Sequence, residues 1–305
     1  MPRPTKRDQL RAERLTSYWE RTRWPLQSLY FLLPLLIGYE LGMFFYTPRD
    51  EAGVPLRITA ERMMHEFFNW FGVTGYLLPG LLVIAALLGW HFVRGDPWKP
   101  EPRIYFFMLL EAIVYALPLY IFVIILFREP AAGVAQGGGD GEAIMLRSLF
   151  AQFGDALSGI SAQSGGGTGG IDPHEIAEPL NRAAQAAPAQ LEWRSEILFA
   201  IGAGIYEELM FRLIGIAALH ALLVSLLALP EKYGAAGAVI ISALAFSAYH
   251  FTTRDFAWGE FGFYTLAGIY FAGIYVGRGF GIVAATHAVY DLLWVTTAYL
   301  QGRAT

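Results

Sequence analysis

The chain has 305 residues, of which 55% are hydrophobic, 15% aromatic and only 16% charged, and its mean hydropathy is +0.41. That balance excludes a disordered chain and an ordinary water-soluble enzyme, and a net charge of −4 excludes a basic nucleic-acid binder. There is no cysteine, so disulfides, thiolate zinc sites, iron–sulfur clusters and cysteine nucleophiles are also excluded. The predicted fold class is all-α, a polytopic transmembrane helical bundle of about seven to eight spans.

Residues 1–24 carry Arg3, Lys6, Arg7, Arg11, Arg14, Arg21 and Arg23 against Asp8, Glu13 and Glu20. No short apolar core or cleavage site is present, so the segment reads as a retained basic tail, with the N-terminus in the cytoplasm. A helix needs about 20 apolar residues to cross the hydrocarbon layer. Such windows fall at Trp24–Tyr46, Val73–Val93 and Ile104–Phe127, then at Ile197–Leu229, Gly234–Phe251, Phe261–Val276 and Phe280–Leu300. The Ile197–Leu229 run, roughly 50 Å as a helix, is either one tilted helix or two shorter pieces.

Two stretches between spans are amphipathic, 57–72 with Met63, Met64, Phe67, Phe68 and Phe71, and 144–160 with Leu146, Leu149, Phe150, Phe153, Leu157 and Ile160. Each fits a helix lying in the membrane surface or one packed on the bundle. Residues 129–195 hold Gly137–Gly139, Gly165–Gly167 and Gly169–Gly170 and read as a flexible linker. A phosphate-binding loop is ruled out there, because no Lys-Ser/Thr follows and no strand precedes. The predicted organisation is therefore a tail (1–24), a three-span region with an interfacial helix (25–128), the linker (129–195) and a C-terminal membrane domain (196–305).

Ionisable side chains inside spans are costly and face the protein interior. Here they concentrate after the linker. Glu208 and Arg212 stand at i, i+4, where they can pair, whereas Glu207 is rotated about 100° away and left for chemistry. Phe246 and His250 close the next span one turn apart, and His287 and Asp291 share a face of the last. An imidazole beside a carboxylate has its tautomer and orientation fixed. A free Glu and two His on consecutive spans can converge on one water, with Glu as base and His as water-orienting groups or metal ligands. That is hydrolytic chemistry. Elsewhere, His65-Glu66 lacks the second His of a zincin, His220 reads as structural, and His91 and His174 read as solvated. Glu40 and Glu111 either bond a neighbouring helix or line a path for substrate. Gly277, Gly279 and Gly281 suit a tight reversal around Arg278.

Glu207-Glu208-x-x-x-Arg212, Phe246-x-x-x-His250 and His287-x-x-x-Asp291, in this order, resemble the three motifs of the CPBP family. This is the CAAX-protease and bacteriocin-processing group of intramembrane proteases, which includes the Rce1-type prenyl-protein endopeptidases. The resemblance covers about residues 195–300. It implies that Glu207 activates water, that His250 positions it, and that His287 with Asp291 completes the site and stabilises the oxyanion. Glu208, Arg212 and Phe246 would support the geometry. Asp291 stands where many members have Asn, and either side chain accepts a hydrogen bond from histidine. The resemblance leaves two cofactor states open, none or a divalent metal such as zinc held by Glu207, His250 and His287. Its expected partners are membrane lipid and a membrane-anchored or lipidated protein or peptide substrate, with no nucleic acid, in the cell membrane. The rival readings are a catalytically silent membrane scaffold, which should have lost part of the triad, and a proton-coupled transporter, which should show paired repeats.

Overall fold

A computed structural model describes residues 17–47, 56–127, 193–252 and 256–300. Residues 1–16 and 128–192 lie outside this set, and with them most of the basic tail, the amphipathic 144–160 stretch, His174 and nearly all of the predicted linker. Every regular element among the described residues is helical: α1 (Tyr18–Arg21), α2 (Pro25–Tyr46), α3 (Thr59–Trp70), α4 (Leu78–Arg94), α5 (Pro102–Phe127), α6 (Trp193–Leu226), α7 (Glu231–Tyr249), α8 (Trp258–Arg278) and α9 (Phe280–Leu300).

Each of the seven apolar windows is a helix. By length and composition α2, α5 through Ile125, α6 and α7 are apolar enough to cross a membrane, and α4 is a shorter apolar helix of 17 residues. The helices α8 and α9 are each 21 residues long but less apolar. They carry Glu260, Arg278, His287 and Asp291, polar groups that an inward face can accept. The Ile197–Leu229 run is one helix, not two: α6 continues through π-helical turns at Leu209–Ile216 and Ala221–Leu226. At 34 residues it is roughly 50 Å long, more than the hydrocarbon layer requires.

Helix α5 shows how such a chain divides lipid from core without amphipathicity. Ile104, Met108, Ala112, Ala116, Leu119 and Val123 recur at helical spacing and are buried, whereas Phe106, Phe107, Ile113, Val114, Leu117 and Ile121 on the other face are exposed. Both faces are apolar, as a lipid-facing helix requires. The small Ala112 and Ala116 suit close approach of α9, which packs extensively on both α5 and α6. The tightest of these crossings is at Gly204 of α6. A Cβ there would stand 2.5 Å from the Ala288 backbone nitrogen and 2.7 Å from the Ala284 carbonyl oxygen. Backbone atoms cannot rotate away, so Gly204→Ala is expected to cost about 1–3 kcal/mol of overpacking. It should also lower activity, by pushing α9 from α6 beside the candidate site. Thermal unfolding of the detergent-solubilised protein would read the loss, and an unchanged melting temperature would contradict this crossing.

The last part of the predicted tail is docked rather than free. Trp24 and Thr22 are buried, Tyr18 Oη donates to Glu111 Oε2 at 2.8 Å, and Arg21 pairs with Glu101. The anchor is Arg278, which makes a two-pronged ion pair with Glu111 through Nε and Nη2. Its guanidinium also lies 3.6 Å over the Trp19 ring and donates to the Trp19 carbonyl. Glu111 thus bonds a neighbouring helix, the first of the two roles open to it. Gly279 makes the predicted reversal with φ +88° and comes within 2.9 Å of Arg23 Cα, measured from where a Cβ would stand. Only glycine fits there. The amphipathic 57–72 stretch forms α3. It buries Ala60, Glu61 and Met64 but leaves Phe67, Trp70 and Phe71 exposed, Trp70 by 82%. An aromatic cluster that is open to its surroundings suits a membrane surface.

Candidate active site

Glu207 and Glu208 lie at the end of the α-helical part of α6, where the π turn begins. A π turn shifts the hydrogen-bond ladder and frees backbone carbonyls. The Phe211 carbonyl accepts from Ser242 Oγ of α7 at 2.6 Å, which ties the widened turn to the next helix. Glu208 is fully buried, and its Oε2 lies 3.1 Å from Arg212 Nε, the predicted pair. The guanidinium is buried over the Phe246 ring, 4.2 Å from its centroid, and donates to the Gly268 carbonyl. Phe246 therefore carries the cation on its π face.

The second oxygen of Glu208 serves another partner. Oε1 lies 2.8 Å from His287 Nδ1 of α9. A carboxylate can only accept there, so Nδ1 carries a proton and Nε2 faces the site. The spacing of His287 and Asp291 had suggested Asp291 as the orienting group. Asp291 Oδ2 instead lies 3.5 Å from Nε2, on the reactive side of the ring. Stacking on Phe271, with centroids 4.6 Å apart, fixes the ring plane.

His250 is set by the end of α7. The backbone N–H of His250 turns to Ser247 O, leaving the Phe246 carbonyl without its helical partner. His250 Nδ1 lies 2.8 Å from that carbonyl and must donate to it. The ring also stacks on Tyr264 at 4.0 Å. Both imidazoles thus hold a proton on Nδ1 and turn Nε2 toward Glu207. Glu207 Oε2 lies 3.9 Å from His250 Nε2 and 4.0 Å from His287 Nε2 and is buried without a hydrogen-bond partner. Glu207 Oε1 accepts from Tyr249 Oη at 3.1 Å. A water about 2.8 Å from both ends of either gap is geometrically allowed. Glu207, His250, His287 and Asp291 line one wall of a cavity of about 680 Å³, whose other walls include Val123 of α5, Phe263, Ala267, Tyr290 and Trp294 together with Glu260 and Tyr264. A largely apolar chamber with a few polar groups is the usual form of a binding site.

All seven residues singled out in the sequence, Glu207, Glu208, Arg212, Phe246, His250, His287 and Asp291, are brought together. The sequence reading missed Tyr249, although it is next to His250, and the bond from Glu208 to His287. As zinc ligands the three candidates do not fit. Donors around zinc at 2.0–2.1 Å stand about 3.3 Å apart in a tetrahedral shell, and these gaps are wider. Among the described residues no group of three His, Cys, Asp or Glu is gathered to hold a metal ion.

The remaining candidates take structural places. Glu40 accepts from Tyr206 Oη at 2.5 Å. His65 lies 3.2 Å from Arg57 and 3.6 Å from Glu61; burial, then the Arg57 guanidinium, pushes its imidazole below the ordinary histidine range. His220 lines an apolar groove between α6, α7 and α8. His91, expected to be solvated, is instead buried edge-on to Trp98, because the short turn after α4 folds the indole back over it.

The family model described as type II CAAX prenyl endopeptidase Rce1-like matches residues 190–293, which include every residue of this cluster. No curated protein and no solved structure matches the chain.

Proposed function

We propose that this chain, whose residues 190–293 match the Rce1-like family model, is an intramembrane endopeptidase of the CPBP type acting on a membrane-associated protein or peptide. The match supports intramembrane proteolysis in general. The residue roles are our reading, and one observation carries them: the buried, unpartnered Oε2 of Glu207 facing the Nε2 atoms of His250 and His287 across gaps that fit a single water.

In this reading a water bridges Glu207 Oε2 and His250 Nε2. Glu207 takes its proton as the oxygen attacks the peptide carbonyl, and later gives that proton to the leaving amine. His287 has a carboxylate at each ring nitrogen, Glu208 at Nδ1 and Asp291 near Nε2. A doubly protonated ring satisfies both, and its Nε2–H is the donor for the developing oxyanion. Glu208, Arg212 and Phe246 hold these groups in register. No step is routed through a metal.

The apolar chamber suits a lipidated C-terminus or an apolar segment of an anchored peptide. The 196–305 region supplies the catalytic residues, while the 25–128 region closes the chamber with Val123. The protein would reside in the cell membrane with its basic N-terminus in the cytoplasm. The test compares terminal peptides of the membrane proteome in cells carrying wild type or Glu207→Gln. Precursors that accumulate only in the variant would establish proteolysis and identify the substrate class. Identical profiles at equal expression would favour the scaffold.

A further inference from the structure

Tyr249, at the end of α7, meets the candidate site at a point that the three motifs do not include. Its phenol donates to Glu207 Oε1 at 3.1 Å. Tyr249 is 8% exposed and lies edge-on to Phe211 and His250, 5.3 and 5.2 Å between centroids, so the hydroxyl cannot swing away.

We propose that Tyr249 is a positioning residue that reserves one oxygen of Glu207 and leaves the other as the base. The inference rests on the endopeptidase reading and deepens it. A carboxylate with two equivalent oxygens can rotate between them, whereas one pinned at Oε1 presents Oε2 alone to the histidines.

The test uses the full chain in its native membrane, with Tyr249→Phe and with Glu207→Gln as the inactive reference. The readout is the cleaved-to-precursor ratio of the peptides whose cleavage Glu207→Gln abolishes. Tyr249→Phe removes one oxygen and should lower that ratio by about tenfold or more, as expected for one hydrogen bond to a charged group. Protein level and thermal unfolding should stay near wild type. Infrared difference spectra of the purified chain, wild type minus Glu207→Gln, isolate the Glu207 carboxyl band. That band should be displaced in Tyr249→Phe, which a merely space-filling tyrosine would not cause. A ratio within twofold of wild type for Tyr249→Phe, or an unmoved band, would each overturn the proposal while leaving the endopeptidase reading intact. A Glu207→Gln profile identical to wild type would overturn that reading and the proposal with it.

Discussion

Glu207→Gln is expected to abolish turnover, by about 10²–10⁴-fold for loss of a general base, and to leave the fold intact. The amide has the shape of the carboxyl, and its oxygen can still accept from Tyr249 Oη in the place of Oε1. What changes is the atom facing His250 and His287, where an NH₂ replaces the unpartnered Oε2. An NH₂ donates to a water and cannot take its proton. The variant should therefore express and melt like the wild type while precursors accumulate. Measuring melting temperature and terminal peptides on the same preparations separates lost chemistry from lost protein. Full retention of cleavage would remove Glu207 from the role of base, and a large fall in melting temperature would mean that its carboxyl holds the helices together.

Spans were legible in the sequence because lipid and protein core both select apolar residues, so helices such as α5 stand out whichever way they face. The site was legible because ionisable groups are rare in such helices. Glu207, Glu208, Arg212, His250, His287 and Asp291 could be found by that rarity alone. Partners within a helix were legible too: Glu208 and Arg212 pair as their spacing requires. Partners across helices were not, because rotation about each helix axis is set by packing. The acceptor for His287 Nδ1 is Glu208 on α6, while the local candidate, Asp291, sits near Nε2. The carbonyl that orients His250 is a consequence of where α7 ends, and side-chain spacing carries no trace of it. Tyr249 was hidden among many tyrosines, since its distinguishing contact, with Glu207, crosses from α7 to α6. Residues 17–24 read as tail because they continue the basic stretch that begins at Arg3, although Arg278 and Glu111 on distant helices dock them.

Glu208→Gln should be the most damaging substitution at the site, since Glu208 uses both oxygens and glutamine has one. If the amide oxygen stays on Arg212, the NH₂ faces His287 Nδ1, which must then surrender its proton and become an acceptor. The ring proton moves to Nε2 in the neutral ring, and Glu208 no longer supports the charged one. If the oxygen turns to His287, the NH₂ meets Arg212 Nε, two donors face to face, and a buried guanidinium is left with the Gly268 carbonyl and the Phe246 ring. Stranding one member of a buried ion pair costs about 3–5 kcal/mol. Both routes destabilise the α6–α9 contact or reset the His287 tautomer, so stability and turnover should fall together, unlike in Glu207→Gln. Size-exclusion profiles after heating would show a lower melting temperature, and the precursors that mark Glu207→Gln should accumulate here as well. A Glu208→Gln protein that melts like the wild type would show that Arg212 does not depend on this carboxylate. A replacement of Glu208 and Arg212 together by apolar residues of similar volume separates the two functions. It removes the stranded charge, so the melting temperature should recover, while His287 remains without its Nδ1 acceptor and cleavage stays low. Recovery of both would assign Glu208 to Arg212 alone and return the orientation of His287 to Asp291.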